Sequence, residues 1–342
     1  MAPLEVQRHH VPPDLAGSRV DRVLAQLIPS LSRTRLQALV AAGHVRVDGE
    51  PVLRRNATVA RGALIEIEFQ PPAEPRRPGP PVQLKVLYED DHMVVIDKQA
   101  GLITHRTQRG EGGTVADLAQ DTFGPLPSVQ GADRPGIVHR LDRLTTGVMV
   151  LGRTEAALEN LKGQFKERKV QKTYRAIAHG DPRFESDWIE LRIAPLQGHF
   201  DRYRALPAAD STGPSDPEAL SELGQPSSQP EGRSASTYYE VLERFRGFVS
   251  LKCMPKTGRT HQIRVHMFWA GMPLVGDRQY GPRGGLKYPL PPEAPALSRQ
   301  ALHAQKLEFD HPVSGERVCF EAPIPEDMRA LDEWLRENMP VA

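Results

Sequence analysis

The sequence of 342 residues is 39% hydrophobic and carries a formal net charge of +1, so it is long enough for two domains with packed cores. It has no run of 18 apolar residues and no apolar N-terminal stretch, which argues against a membrane-spanning helix and a signal peptide. Two cysteines, Cys253 and Cys319, lack metal or redox spacing, so we expect a reducing, cytoplasmic compartment.

Composition divides the chain into segments. Residues 1–16 are predicted to be an N-terminal tail and residues 17–70 a small module. The Pro-rich stretch 71–82 resists helix and sheet and is predicted to be a linker to a larger domain, residues 83–342. Within that domain, residues 207–232 are rich in Pro, Ser, Glu and Gly and are predicted to be a mobile loop.

The acidic residues are unevenly distributed. Residues 205–232 hold five of them and no Lys or Arg, so the rest of the chain carries about +6. This excess is weak support for a polyanionic partner.

The small module has helical spacing at its start. Apolar residues at i, i+3, i+4 and i+7 from Val20 predict one helix. Ser32 is predicted to cap a second helix that ends at Gly43. An alternating segment then meets the turn Asp48-Gly49, which indicates a hairpin.

Two arginines, Arg33 and Arg35, lie at the predicted start of the second helix. Free N–H groups at a helix N-terminus, together with arginines, suit a phosphate group. From charge alone, a solvated basic face is an equally good explanation. The segment SRTRLQALVAAGHVRVDG, however, resembles the S4 RNA-binding fold over roughly residues 17–70, which implies docking on structured RNA.

The larger domain is predicted to be rich in strands. Strands are predicted at 84–88, 93–97, 174–178, 238–242, 248–254 and 262–265, and helices after Thr154 and at 328–335. Because strands and helices do not alternate in a βαβ pattern, we expect an α+β fold around a mixed, mostly antiparallel sheet.

A charged cluster precedes an apolar run. His139, Arg140 and Asp142 lie just before residues 148–151, which have the character of a buried strand. An aspartate there most often caps a turn or pairs with an arginine. Chemistry would require an ionised carboxylate, which a nearby opposite charge favours and a bidentate arginine orients.

A second polar segment is KTGRTHQIRVH. If it is a strand, Arg259, His261 and Ile263 share one face. His261 and His266 would then lie on opposite faces, and no Cys or third His is spaced to complete a zinc site, so we expect no metal.

Three motifs together carry a family resemblance. RPGIVHRLDRLTTG, QKTYRAIAHG and KTGRTHQIRVHM resemble the signature motifs of RluA-type pseudouridine synthases, over about residues 84–325. The resemblance implies isomerisation of uridine to pseudouridine within RNA, with no cofactor. With the S4-like module, ribosomal RNA is the first expected target and transfer RNA the alternative, and we expect a monomer.

The resemblance also assigns roles to residues at the site. Asp142 is the catalytic carboxylate, which acts at the ribose C1′ to detach uracil. Tyr174 stacks on the uracil, with its hydroxyl available for proton transfer, and Arg259 forms a salt bridge with Asp142. The sequence leaves open whether the covalent step is at the sugar or at the base.

Further residues are assigned to RNA binding. Arg140 would enter the helix where the flipped uridine has left, His139 lies beside it, and Ile263 would be an apolar wall of the pocket. Base flipping costs a few kcal/mol, which insertion and stacking offset. The sequence departs from the family at Gln99, where a proline is usual.

Two hypotheses from other classes remain. One is a catalytically silent RNA-binding assembly factor that uses the S4-like module. The other is a base-excising glycosidase, although most glycosidases pair two carboxylates and the motifs supply only Asp142.

We expect replacement of Arg33 and Arg35 by alanine to lower RNA affinity without changing the chemistry of a bound uridine. Phosphate contacts release counterions, so the loss will show as a weaker salt dependence of binding in a salt titration. Equal affinity at every salt concentration would contradict the S4 interpretation.

Overall fold

The computed structural model describes residues 5–28, 33–54, 56–69, 83–106, 112–128, 134–196, 201–206, 232–281, 285–287 and 289–341. They fall into two compact units, one before and one after the Pro-rich stretch. The predicted linker 71–82 and the predicted mobile loop, apart from Gly232, lie outside the described residues. None of the helices described has the length and apolar character needed to cross a membrane.

The smaller unit packs two helices on a sheet of four described strands. The elements are β1 Glu5–His10, α1 Val20–Leu27, α2 Arg33–Ala41, β2 Val45–Val47, β3 Glu50–Pro51 and β4 Leu64–Phe69. The strand order is β1-β4-β2-β3, and the paired strands are antiparallel. Apolar residues of both helices and of β4 form its core, as their periodicity predicts.

The N-terminal tail expected over residues 1–16 is wrong in part. Residues 5–10 form β1, which pairs with β4 along its whole length. Backbone hydrogen bonds rather than apolar burial hold this strand, since Val6 is 53% exposed. The sequence did not predict the strand because its residues show no alternation of apolar and polar side chains. Val11 and Leu15, just after it, belong to the core.

The predicted turn and helix end of this unit are confirmed. Asp48 and Gly49 have φ of 51° and 85°, which suits a two-residue hairpin between β2 and β3. Gly43 has φ of 79° after α2, the left-handed geometry that ends many helices. The expected cap, Ser32, lies outside the described residues.

The larger unit is built on one mixed sheet. Ten described strands form it: β5 Lys85–Glu89, β6 Met93–Lys98, β7 Thr146–Gly152, β8 Gln171–His179, β9 Ser186–Pro195, β10 Tyr203–Leu206, β11 Arg233–Phe245, β12 Phe248–Pro255, β13 Leu302–Asp310 and β14 Arg317–Glu321. The helices described here are α3 Val115–Phe123, α4 Glu155–Lys166, α5 Gln262–Trp269 and α6 Glu326–Asn338. The order is β10-β9-β11-β12-β8-β13-β7-β6-β5, with β14 beside β13.

The sheet confirms the expected α+β fold. Among the described strands, β7 and β13 are parallel and the other neighbours are antiparallel. The parallel pair is short, joining His303 to Thr146 and Ala304 to Gly147, and the Thr146 hydroxyl hydrogen-bonds His303 Nδ1 at 2.8 Å. Because β13 also pairs with β8, it lies between β7 and β8 in the sheet.

Helices cover both faces of the sheet. Alternate residues of β6 and β7 pack against α3 on one face and α4 on the other, which is why β7 is buried at all seven positions. Thr154 caps α4 as expected, its hydroxyl oxygen accepting the N–H of Ala157 at 3.3 Å. Helix α5 packs on β8, β9, β11 and β12, and α6 completes a further core.

The strand expected at residues 262–265 is wrong, because these residues begin α5. Residues 262–267 are all buried, whether apolar or polar. A helix buried on every side shows no apolar stripe, so its period cannot be read from the sequence. The other predicted strands and helices of the larger domain are confirmed.

We expect Gly147→Ala to destabilise the protein by about 3 kcal/mol, because a Cβ there would overlap the carbonyl oxygen of Ala304 on β13. The φ of 116° at this position also disfavours any side chain. Urea unfolding measures the change. The control is Gly163→Ala within α4, where a Cβ meets open space and where we expect a gain of about 0.5–1 kcal/mol.

Candidate active site

A cleft of about 660 Å³ opens in the larger unit. Its walls come from the loop before β7, the end of α4, the start of β8 and the segment 255–264, which runs from the last residue of β12 into the first turn of α5. Residues from all three sequence motifs line it: His139, Arg140, Asp142, Tyr174, Arg259 and Ile263. The fold therefore brings together motifs that are far apart in the chain.

Asp142 lies in the turn that leads into β7. The N–H of Thr145 donates to the Asp142 carbonyl oxygen at 3.0 Å, which sets the turn. The side chain is 17% exposed and lines the cleft. Its Oδ2 accepts a hydrogen bond from the guanidinium of Arg264 at 3.2 Å. A charge-assisted hydrogen bond of this kind fixes the direction of the carboxylate.

Arg264, on the first turn of α5, is itself held by other side chains. It donates from Nε and a terminal nitrogen to both carboxylate oxygens of Asp277, at 2.7 and 2.9 Å, and to Gln279 Oε1 at 2.9 Å. The guanidinium carbon lies 4.9 Å from the ring centre of Tyr280. Burial acts to lower the pKa of Arg264, but Asp277, by hydrogen bonds and charge, and then Asp142 raise it above its ordinary value. Arg264 therefore remains a cation in one orientation.

The expected salt bridge between Arg259 and Asp142 is wrong. Arg259 donates from Nε to the carbonyl oxygen of Ser234 at 3.1 Å, and no described carboxylate forms an ion pair with it. The motif GRTHQIR contains two arginines, and the helical geometry of α5 directs the second, Arg264, to Asp142. The sequence did not show which of the two arginines pairs with Asp142, because the helical period of this segment could not be recognised from it.

Tyr174, on β8, lines the same cleft as Asp142. Its ring packs at the edge of two apolar cores. Burial, and then the negative charge of Asp142, raise the pKa of Tyr174 above its ordinary value. The phenol is therefore protonated at neutral pH and can donate its O–H.

His139 and Arg140 differ in surroundings although they are adjacent. Nε2 of His139 accepts the N–H of Val150 at 3.2 Å, and the ring stacks on Phe165 with centres 4.5 Å apart. Burial, and then the charge of Lys172, lower the pKa of His139 to about 3, so the ring is neutral and holds the loop to β7. Arg140 is exposed, with no ion pair to a described carboxylate.

Ile263, Arg33 and Arg35 are the remaining residues that were predicted to bind RNA. Ile263 is buried and lines the cleft from α5 rather than from a strand. The side chains of Arg33 and Arg35 lie outside the described residues, so their contact with RNA stays a prediction. Among the residues described, no group of three His, Cys, Asp or Glu is placed to hold a metal ion.

Lys98, at the end of β6, is a residue whose position the sequence did not reveal. It is fully buried, and its ammonium donates to the carbonyl oxygens of Gln99, Leu102 and Arg143 at 2.9–3.1 Å. Burial lowers the pKa of Lys98 to about 7, against the opposing charge of Asp142. The lysine thereby ties the loop after β6 to the residue that follows Asp142.

His261 and Tyr280 form a second contact beside Asp142 that the sequence did not predict. Nδ1 of His261 hydrogen-bonds the Tyr280 hydroxyl at 2.8 Å, and Nε2 lies 3.9 Å from Asp142 Oδ1. Asp277 and Tyr280 lie in the segment PLVGDRQYG, and nothing in the spacing of its residues indicated these contacts.

The cleft is strongly basic. Its described lining contains nine Lys and Arg residues: Arg134, Arg140, Lys162, Lys166, Arg168, Lys172, Lys256, Arg259 and Arg264. Within the described part of the chain, only Arg264 of these forms an ion pair, whereas many cations elsewhere are paired, such as Arg175 and Arg299. Asp142 is the single carboxylate in that lining. Such a cleft suits a polyanion, and one carboxylate does not match the usual pair of a glycosidase.

Comparisons with known proteins agree with this chemistry. The model of the RNA pseudouridylate synthase family matches residues 92–269, and that of the S4 domain matches residues 18–65. The ribosomal large subunit pseudouridine synthase D of Xanthomonas campestris pv. campestris is 38% identical over 337 residues, which cover 96% of this chain and 92% of that one. The enzyme of the same name from Pseudomonas aeruginosa is 37% identical over 336 residues, covering 96% and 95%.

A solved structure shares the fold. The human RNA pseudouridylate synthase domain containing 4 aligns with a TM-score of 0.55 at 24% identity, covering 75% of this chain and 95% of that chain. Since the family model covers more than half of the sequence and the relatives match nearly its whole length, the chain belongs to the RNA pseudouridylate synthase family and carries an S4 domain before its synthase domain.

Proposed function

We propose that this RNA pseudouridine synthase converts specific uridines of large-subunit ribosomal RNA to pseudouridine. The relatives from Xanthomonas and Pseudomonas are named for that substrate, which favours it over transfer RNA. The observation that carries the proposal is a carboxylate, Asp142, held by Arg264 in a cleft whose other charged lining residues are cations. We also infer a monomer, because one chain forms this cleft, and a cytoplasmic location, because ribosomal RNA lies in the cytoplasm of bacteria such as those that hold the relatives.

Base flipping is the first step of the proposed mechanism. A uridine within a helix cannot reach a recessed carboxylate, so its nucleotide must rotate out of the stack. Arg140 is exposed at the cleft and is not paired with a described carboxylate, so its guanidinium is available to fill the space that the base leaves. Tyr174 would then stack on the flipped uracil.

The chemistry follows at the ribose. Asp142 is proposed to act at C1′, where the bond to N1 of uracil breaks. The uracil leaves with the electrons of that bond on N1, rotates and rejoins C1′ through C5. The hydrogen on C5 then leaves as a proton, and N1 takes up a proton, so that the product is an isomer of uridine. Arg264 keeps one oxygen of Asp142 in place throughout, because Asp277 prevents the guanidinium from turning.

The cleft cations support phosphate binding. The pKa of Lys172 is lowered to about 8 by burial and then by the charge of Arg168, and burial, Arg233 and Arg168 lower the pKa of Arg259. These side chains repel one another without a described carboxylate to compensate. Phosphate groups of a bound RNA strand would supply the missing negative charge.

We expect Asp142→Asn to abolish turnover while RNA affinity is retained, because the amide has nearly the same shape but carries no charge. Tritium release from ribosomal RNA carrying [5-³H]uridine measures the reaction, since the new bond at C5 expels that hydrogen. The control is Asp91→Asn, an exposed carboxylate in the β5–β6 turn, which should leave release unchanged. Undiminished release by Asp142→Asn would remove the assignment.

We expect the double variant Lys162→Ala, Lys166→Ala to weaken RNA binding and to reduce the slope of log affinity against log salt by about 2, because each phosphate contact contributes roughly 1. Lys85→Ala, Lys306→Ala is the matched control. It removes the same charge from two cations that lie outside the cleft lining and are paired with carboxylates. Equal slopes for both double variants would contradict phosphate binding by this wall of the cleft.

A further inference from the structure

One oxygen of the catalytic carboxylate has an unusual neighbour. Arg264 holds Oδ2 of Asp142, but among the residues described no donor hydrogen-bonds Oδ1. Nε2 of His261 lies 3.9 Å from this oxygen. This separation is too long for a direct hydrogen bond, but a single oxygen atom about 2.8 Å from each group can join them.

The ring of His261 is fixed so that it presents a donor to this gap. The Tyr280 hydroxyl accepts the backbone N–H of Tyr203 at 3.0 Å and lies 2.8 Å from Nδ1 of His261. Because the described residues offer the hydroxyl hydrogen no other acceptor, we assign Tyr280 as the donor to Nδ1. Nε2 then carries the hydrogen, which is also the favourable tautomer opposite a carboxylate. Burial raises the pKa of Tyr280, so its hydroxyl keeps the proton that it donates.

The backbone and the neighbouring rings hold the histidine in place. His261 has φ of 56° and is the residue before the first turn of α5, where its carbonyl oxygen accepts the N–H of Val265. The rings of Tyr203 and Tyr280 meet it edge to face, each with centres 5.6 Å apart. These contacts therefore fix the position of Nε2 opposite Oδ1 of Asp142 in the cleft wall.

A group of the bound RNA that bridges these two atoms must accept a hydrogen bond from His261 and donate one to Asp142. Uracil oxygens only accept and its N3–H only donates, so neither can do both. A hydroxyl can, and the 2′-hydroxyl is the only hydroxyl of a nucleotide inside an RNA chain, because its 3′ and 5′ oxygens are esterified.

We propose that His261 Nε2 and Asp142 Oδ1 form a binding site for the ribose 2′-hydroxyl of the target uridine, and that this site makes the enzyme specific for ribonucleotides. The inference rests on the proposed function, in which Asp142 acts at C1′, the carbon next to the one that bears this hydroxyl. His261 acts here as a specificity-determining residue, since the 2′-hydroxyl is what distinguishes RNA from DNA.

The test combines a change in the protein with a change in the substrate. The substrates are two synthetic RNA fragments spanning a uridine mapped as modified in large-subunit ribosomal RNA, one unaltered and one with 2′-deoxyuridine at that position. The readout is a ratio, namely kcat/KM for the unaltered fragment divided by kcat/KM for the fragment with 2′-deoxyuridine. The intrinsic effect of the missing hydroxyl on glycosidic chemistry cancels when the ratio is compared between protein variants.

His261→Asn is the main variant, because asparagine tolerates positive φ and its amide is too short to reach the gap. We expect its ratio to be several-fold and up to about tenfold lower than that of the wild type, since the hydrogen bond from His261 Nε2 to the hydroxyl is lost with either change. His261→Gln can place an amide N–H near the position of Nε2 and should keep part of the wild-type ratio. A purely structural role of His261 would lower kcat/KM for both substrates equally.

The outcomes separate the subsite from the proposed function. A lower ratio in His261→Asn, recovered in part by His261→Gln, supports the subsite. A wild type that treats both substrates equally, or a ratio unchanged in His261→Asn, overturns it while turnover itself stands. No pseudouridine formed by the wild type in any ribosomal RNA fragment would overturn the proposed function and the subsite with it.

Discussion

The active site depends on one buried guanidinium. Arg264 joins three parts of the chain: the turn that carries Asp142, the helix α5 and the loop that carries Asp277. A buried charge is costly unless it is fully paired, and Arg264 meets this requirement with two carboxylates and an amide. The same contacts that stabilise the cation therefore set the direction of the Asp142 carboxylate, and loss of Asp277 would leave Arg264 free to turn away from Asp142.

The cleft around this group is a compromise between stability and binding. Nine cations line it with a single carboxylate among the described lining residues, and Lys172 is buried deeply enough for its pKa to fall to about 8. Like charges so arranged lower the stability of the free protein, and functional sites commonly break the rules of folding in this way. An RNA strand in the cleft would reverse the balance, because its phosphates neutralise charges that the protein leaves unpaired.

Sequence predicted the fold better than the contacts within the site. Period-2 and helical patterns identified most strands and helices, since burial of one face follows directly from residue type. The motifs identified Asp142 and Tyr174 as members of one site. They did not distinguish Arg264 from Arg259, because α5 is buried all round, and they did not reveal the pairing of His261 with Tyr280, which depends on tertiary placement of two distant segments.

Strand order has a consequence for how the enzyme is made. Asp142 precedes β7 and Tyr174 lies on β8, and β13, residues 302–310, is the strand inserted between them. During synthesis from the N-terminus, these two residues cannot take their final places in the sheet before β13 has been made. The family match ends at residue 269. A chain that terminates soon after that point would contain the three motifs that carry the family resemblance but would lack β13, the strand that joins β7 to β8.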